Sequence, residues 1–181
     1  MSRVAQEIDF AGGRGDFKLI VKYGHSEPTF HSFVVSSSAM ILACKPWERM
    51  LSGPFGEGRP EHPRILDFTE DNYGALEILM NVIHLRFNEV PRTLELTSLA
   101  DLAILTDRYD LTALVAPWIA GWVQHLYASI NEEGTEVEWL WISWEYGALD
   151  IFNRVLHKLC IESSPMRGRQ QPFLPPGVEG K

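Results

Sequence analysis

Period-two alternation of apolar and polar residues ends in this chain by Phe68, and the remainder follows the helical period. The clearest alternating run is Phe17-Lys18-Leu19-Ile20-Val21-Lys22-Tyr23. There Phe17, Leu19, Val21 and Tyr23 alternate with Lys18, Ile20 and Lys22, as in a strand with one buried face. Gly24-His25-Ser26 supplies turn chemistry, and Thr29-Phe30-His31 returns as a second strand whose start Pro28 confines to an edge or an end. Ser32 to Leu51 is read as mainly helical and divided at Lys45-Pro46, because proline cannot continue a helix. Gly53 to Gly58 is a loop, and Arg64 to Phe68 a short strand buried at Ile65, Leu66 and Phe68. Few strands followed by many helices predict an α+β fold, a small sheet with an N-terminal hairpin beside a helical cluster. A doubly wound fold would need strands and helices to alternate throughout.

The helical part opens with Thr69 as the expected N-cap, with Glu70 and Asp71 in the first turn. Tyr73, Leu76, Leu79, Met80, Ile83 and Phe87 form its buried stripe, and Asn88 to Arg92 is a connection. Ser98 with Asp101 reads as a capping box, and Asp110 as the cap of the next helix, which Pro117 bends or divides. Beyond the polar loop at Asn131 to Gly134, Val137 to Tyr146 and Asp150 to Cys160 make a closing helical pair broken near Gly147. Residues 1–15 are expected to be a flexible N-terminus, 16–128 the main domain, 129–162 a helical extension and 163–181 a disordered Pro- and Gly-rich tail.

At 45% hydrophobic and 22% charged residues, the 181-residue chain is composed like a globular domain with a packed core. Its net charge of −8 opposes contact with a phosphate backbone, so no nucleic-acid partner is expected. No apolar stretch reaches membrane-spanning length, and Met1 to Gly15 carries Glu7, Asp9 and Arg14 in place of a signal-peptide core. The expectation is an intracellular protein, of nucleus or cytoplasm, that does not engage a membrane. Cys44 and Cys160 are too few for a disulfide framework or zinc site and are read as two reduced, buried thiols.

A search for chemistry returns little. His25, His31, His62, His84, His125 and His157 form no His-x-x-x-His pattern, and the cysteines form no Cys-x-x-Cys pattern. Ser36-Ser37-Ser38 lacks the flanking glycines of a nucleophile elbow, so capping or surface polarity accounts for it. Gly12-Gly13-Arg14-Gly15 precedes a strand where a dinucleotide- or phosphate-binding loop would follow one. The adjacent carboxylates of Glu70-Asp71 and Glu132-Glu133 diverge and do not make an acid/base pair. No metal, no cofactor and no catalysis are therefore expected. The contrary reading, a small hydrolase or metal enzyme with a dispersed site, requires a deep pocket where His, Cys or carboxylate groups converge. Trp118, Trp122, Trp139, Trp141 and Trp144 cluster in the last helices and are read mostly as core, with a share left for a partner surface.

Asp16-Phe17-Lys18-Leu19-Ile20-Val21 followed by Phe30-His31-Ser32-Phe33-Val34-Val35-Ser36-Ser37-Ser38 resembles the entry to the BTB/POZ domain. Met50-Leu51-Ser52-Gly53-Pro54-Phe55-Gly56-Glu57, Ile65-Leu66-Asp67-Phe68 and Thr69-Glu70-Asp71 continue the likeness in order. Pro91-Arg92-Thr93-Leu94, Leu105 to Leu111 and Glu138-Trp139-Leu140-Trp141-Ile142 look like forms common in fungal BTB proteins. Pro28 and Ala39 depart from the pattern, at positions where the family usually has an aromatic residue and a proline. The resemblance spans about Asp16 to Cys160 and implies a module that binds other proteins or a second copy of itself, with His31 structural. It also implies an alternative, a substrate adaptor for a cullin ubiquitin ligase, in which Phe55 and Glu57, with Met50 and Leu51 before them, would make the protein contact.

Overall fold

The computed structural model describes residues 4–24, 28–52 and 64–162. The chain divides into two compact units, Met1–Pro91 with Leu105–Val115, and Arg92–Ile104 with Ala116–Lys181. The secondary structure is α+β, as the sequence predicts.

The first unit holds a mixed sheet of strands β1 (Val4–Asp9), β2 (Phe17–Tyr23), β3 (Thr29–Val35) and β4 (Ile65–Phe68) in the order β1-β3-β2-β4. β2 and β3 run antiparallel with Leu19 opposite Phe33, and β4 runs parallel to β2 with Leu66 opposite Leu19. Phe17, Leu19 and Val21 are buried while Lys18 and Lys22 are exposed, so the alternation in β2 does assign its faces. Helices α1 (Ser37–Ala43), α2 (Lys45–Ser52) and α3 (Tyr73–Ile83) belong to the same unit. Eight of the eleven residues of α3 are buried, as expected of a helix apolar on most sides.

Several local expectations are corrected. Residues 4–9 lie in the segment read as a flexible N-terminus, yet they form β1, parallel to β3 with Ile8 opposite Phe33. The anchor is Phe10, 3% exposed, whose ring meets Phe33 edge-on at 4.9 Å while its N–H donates to the Val34 carbonyl. Strand β3 continues through Val35, where a helix was expected from Ser32, because pairing with β2 extends to Phe17 opposite Val35. Ser36 then caps α1, its hydroxyl accepting from the Ala39 N–H. Ile65 is 51% exposed because it takes the outward position of a β4 whose inward residues are Leu66 and Phe68. Asn72, not Thr69, caps α3, accepting from the Ala75 N–H at 3.0 Å, while Thr69 closes a turn on the Asp67 carboxylate.

Helix α4 (Leu96–Tyr109) starts before Ser98, since its ladder already begins with the Leu99 N–H donating to the Glu95 carbonyl. Helix α5 (Thr112–Leu126) contains Pro117 and continues past it, and the chain passes from one unit to the other beside that proline.

The second unit closes with α6 (Glu136–Glu145) and α7 (Leu149–Glu162), packed on each other as the expected helical pair. Trp139 to Ser143 are buried without interruption, so Trp139 and Trp141 are both covered although they project from different sides of α6. Ser143 joins that run because its hydroxyl bonds back to the Trp139 carbonyl at 2.6 Å. Trp122 is also fully buried, Trp118 is half-buried, and Trp144 is 42% exposed. Cys44 is buried as expected, but Cys160 is exposed on α7. Both thiols are free.

Candidate interaction surface

Of the four residues that the sequence points to for protein contact, Phe55 and Glu57 lie outside the described residues. Met50 is half-buried, and Leu51, 6% exposed, belongs to the core of α2 with little side chain left for a partner. His31 sits within β3 under aromatic cover. Tyr23 stacks on its ring at 5.2 Å, and Tyr73 meets it edge-on at 5.4 Å. Burial pushes the Tyr73 phenol up to about 12, so it stays protonated. Among the described residues, no three His, Cys, Asp or Glu side chains come together in a set able to hold a metal ion. Nor is any described helix long and apolar enough to cross a membrane.

The surface that does stand out lies where α3 ends. The ends of α3, α4 and α6 share one backbone motif, in which the residue after the cap turns left-handed and two N–H groups reach back to the last turn. At α6 the left-handed residue is Gly147 (φ 70°), with the Gly147 N–H bonded to Trp144 and the Ala148 N–H to Ser143. At α4 it is Asp110 (φ 56°), with its own N–H on Asp107 and the Leu111 N–H on Thr106. Asp110 thus terminates α4, in contrast to its expected role as the cap of α5. At α3 it is Leu85 (φ 61°), with its N–H on Val82 and the Arg86 N–H on Asn81.

Glycine tolerates this conformation freely, and Asp adopts it by local hydrogen bonding. For a bulky apolar residue it is a strained outlier, costing on the order of 1 kcal/mol. Leu85 is nevertheless 74% exposed, so packing of its side chain does not repay the strain. Phe87, which the sequence places in the buried stripe, is 51% exposed because α3 stops at Ile83 and a 3-10 turn at Phe87–Glu89 redirects the chain. Two large apolar side chains two residues apart are therefore left exposed.

Beneath this corner, Arg86 ties the end of α3 to β1. Its guanidinium donates to the Asp9 carbonyl at 3.2 Å and lies over the Phe10 ring at 5.1 Å. A cavity of about 210 Å³ opens between β1, α3 and the turn. Ile8, Phe10, Ile78 and Pro91 give it apolar walls, and Glu77, Asn81, Arg86 and Glu89 give it polar groups. Burial pushes the Glu77 carboxyl above its usual range, against the pull of the nearby Arg86 and His31 charges. Asn81 is 6% exposed and its Oδ1 has no donor.

Sequence reasoning missed both Leu85 and Asn81. Asn81 lies within a helical apolar pattern, and Leu85 looks like one more core residue until the backbone after Ile83 is known. No protein-family model matches the chain, and no curated protein does.

Proposed function

We propose that this chain is a protein-interaction module on a BTB/POZ-type scaffold, without a catalytic site of its own, and that the corner at Leu85 and Phe87 is a surface it offers to partners. The order of elements in the first unit supports the scaffold reading. A hairpin of β2 and β3 leads into the helix pair α1 and α2, then into β4 parallel to β2, then into α3.

The observation that carries the interaction reading is Leu85 itself. A leucine held left-handed and 74% exposed lowers the stability of the free chain, and burial of that side chain against another protein gives the conformation a use. Phe87 beside it supplies an aromatic anchor of the kind enriched at interface hot spots.

The test is co-purification from cell extract with the full chain and a Leu85→Ser, Phe87→Ser variant, together with light scattering for self-association. The reading predicts that partners or a second copy are lost from the variant while its circular dichroism is unchanged. Undiminished association in the variant rules out this corner. A chain that neither self-associates nor captures any reproducible protein would sink the module reading.

A further inference from the structure

We infer that the groove between α5 and the start of α7 is covered by this chain's own segment Pro172-Phe173-Leu174-Pro175-Pro176, which returns along α7 to reach it. The groove lies wholly in the second unit and is independent of the corner at Leu85 and Phe87.

Ile119, Val123 and Tyr127 recur every four residues and form one wall, running along α5 into the turn after it. Tyr146, Ala148 and Ile151, from the break between α6 and α7, form the other. The space between them is about 400 Å³. None of these six residues is buried, and Tyr127 is 55% exposed, so the walls are open to a guest. Among the described residues that line the groove, none is charged. An acidic or basic guest finds no counter-charge there, whereas an uncharged apolar one loses nothing on entering.

The chain supplies such a guest. Helix α7 ends at Glu162, and the nine residues from Gln170 to Val178 beyond it carry no charge while holding Phe173, Leu174 and three prolines. Pro172 and Pro175 have the Pro-x-x-Pro spacing, whose preset backbone docks against aromatic-lined grooves at little entropic cost. A polyproline backbone leaves its carbonyls unpaired, and the Tyr127 hydroxyl and the Gln124 amide line the groove as donors.

Reach favours the chain's own segment over one from another protein. Ile151 lies eleven residues before Glu162, roughly 17 Å along the helix. Residues 163–171 span up to about 30 Å when extended, enough to bring Pro172 back alongside Ile151. A tether of nine residues also holds the segment at an effective concentration on the order of millimolar, which a free partner at micromolar levels does not match.

The experiment compares methyl NMR spectra of the full chain and of its Phe173→Ser, Leu174→Ser variant. The Ile119, Val123 and Ile151 signals are expected to differ between the two, with circular dichroism unchanged. A synthetic peptide of residues 170–178 should return the variant's signals saturably toward their native positions. It should need at least about tenfold more to act on the native chain, where the tethered segment competes. Replacing Pro172 and Pro175 by alanine in the peptide should weaken it roughly fivefold, for the backbone freedom that two prolines remove. Identical groove signals in the two chains overturn the inference, as does equal affinity of the peptide for both. Full affinity of the alanine peptide overturns the polyproline recognition. Groove signals of the native chain that move to the variant's positions on dilution also overturn it, because the segment would then sit on a second copy.

Discussion

The imidazole of His84 accepts a hydrogen bond at 2.9 Å from the backbone N–H of Ser36, a residue 48 positions earlier in the chain. Its other nitrogen, Nδ1, lies 2.9 Å from the Met80 carbonyl. With Nε2 accepting, Nδ1 must carry the proton and donate, so the bonding pattern selects the neutral ring in one tautomer. One side chain thereby joins the C-cap of α3 to the N-cap of α1.

Stability should accordingly fall on mild acidification. Burial holds the His84 pKa below its ordinary 6.5, with the Met80 carbonyl opposing and Arg86 reinforcing the shift. A group whose folded-state pKa is depressed takes up its proton more readily in the unfolded chain. The stability it confers is complete above 6.5 and declines as the pH falls from there toward the folded-state value. Urea denaturation between pH 8 and pH 5, as a bracketing range of about three units around the imidazole value, would show this slope. His84→Ala should cost about 2 kcal/mol at neutral pH and flatten the slope.

Leu85→Gly should stabilise the protein. Glycine relieves the left-handed strain at the end of α3 and gives up little packing, since the leucine is mostly exposed. The expected gain is about 0.5–1 kcal/mol, after the extra chain entropy of glycine is counted. It is read as a higher denaturation midpoint at unchanged slope. Gly147→Leu at the end of α6 should show the reverse sign, and equal effects of like sign at the two positions would contradict the strain argument.

Asp71 is a third point of leverage. Its carboxylate is 7% exposed and accepts from the Tyr109 hydroxyl at 2.7 Å and from the Arg108 guanidinium, joining the turn before α3 to the end of α4. Asp71→Ala should cost about 3 kcal/mol, because a buried hydroxyl loses its acceptor and a charge-assisted pair is broken. Arg108→Ala should cost less, about 2 kcal/mol, because the nearly buried Asp71 carboxylate loses its cation but keeps the Tyr109 hydroxyl. Thermal denaturation of the two variants measures the contrast.

The two thiols should differ sharply in reactivity. Cys44 is buried, donates weakly to the Tyr109 carbonyl at 3.4 Å, and has its pKa raised mainly by burial. Cys160 is exposed. Ellman's reagent should modify Cys160 promptly in the native chain and Cys44 only on unfolding, in a titration that Cys160→Ser reduces to the slow phase.

Much of the fold was legible because local patterns and long-range packing agree. The alternation in β2 sets its faces, Lys45-Pro46 separates α1 from α2, and Gly147 separates α6 from α7. Such features act over a few residues and need no knowledge of what lies opposite. The sequence by itself therefore determined an α+β chain with its strands early and its helices late.

Tertiary structure decided the rest. Val4 to Asp9 carry too little apolar pattern to declare a strand, and they become one because β3 offers an open edge and Phe10 finds Phe33. Asp110 and Leu85 turn left-handed because the helices they follow must end there, whatever their own preference. The candidate surface belongs wholly to this second class. Leu85, Phe87, Asn81 and Glu77 are ordinary residues of a helical stretch, and only the stop of α3 at Ile83, with β1 brought alongside, exposes the first pair and places the second in the lining of a cavity. Periodicity fixes where a side chain projects from its own element, whereas contact across elements fixes whether anything meets it there.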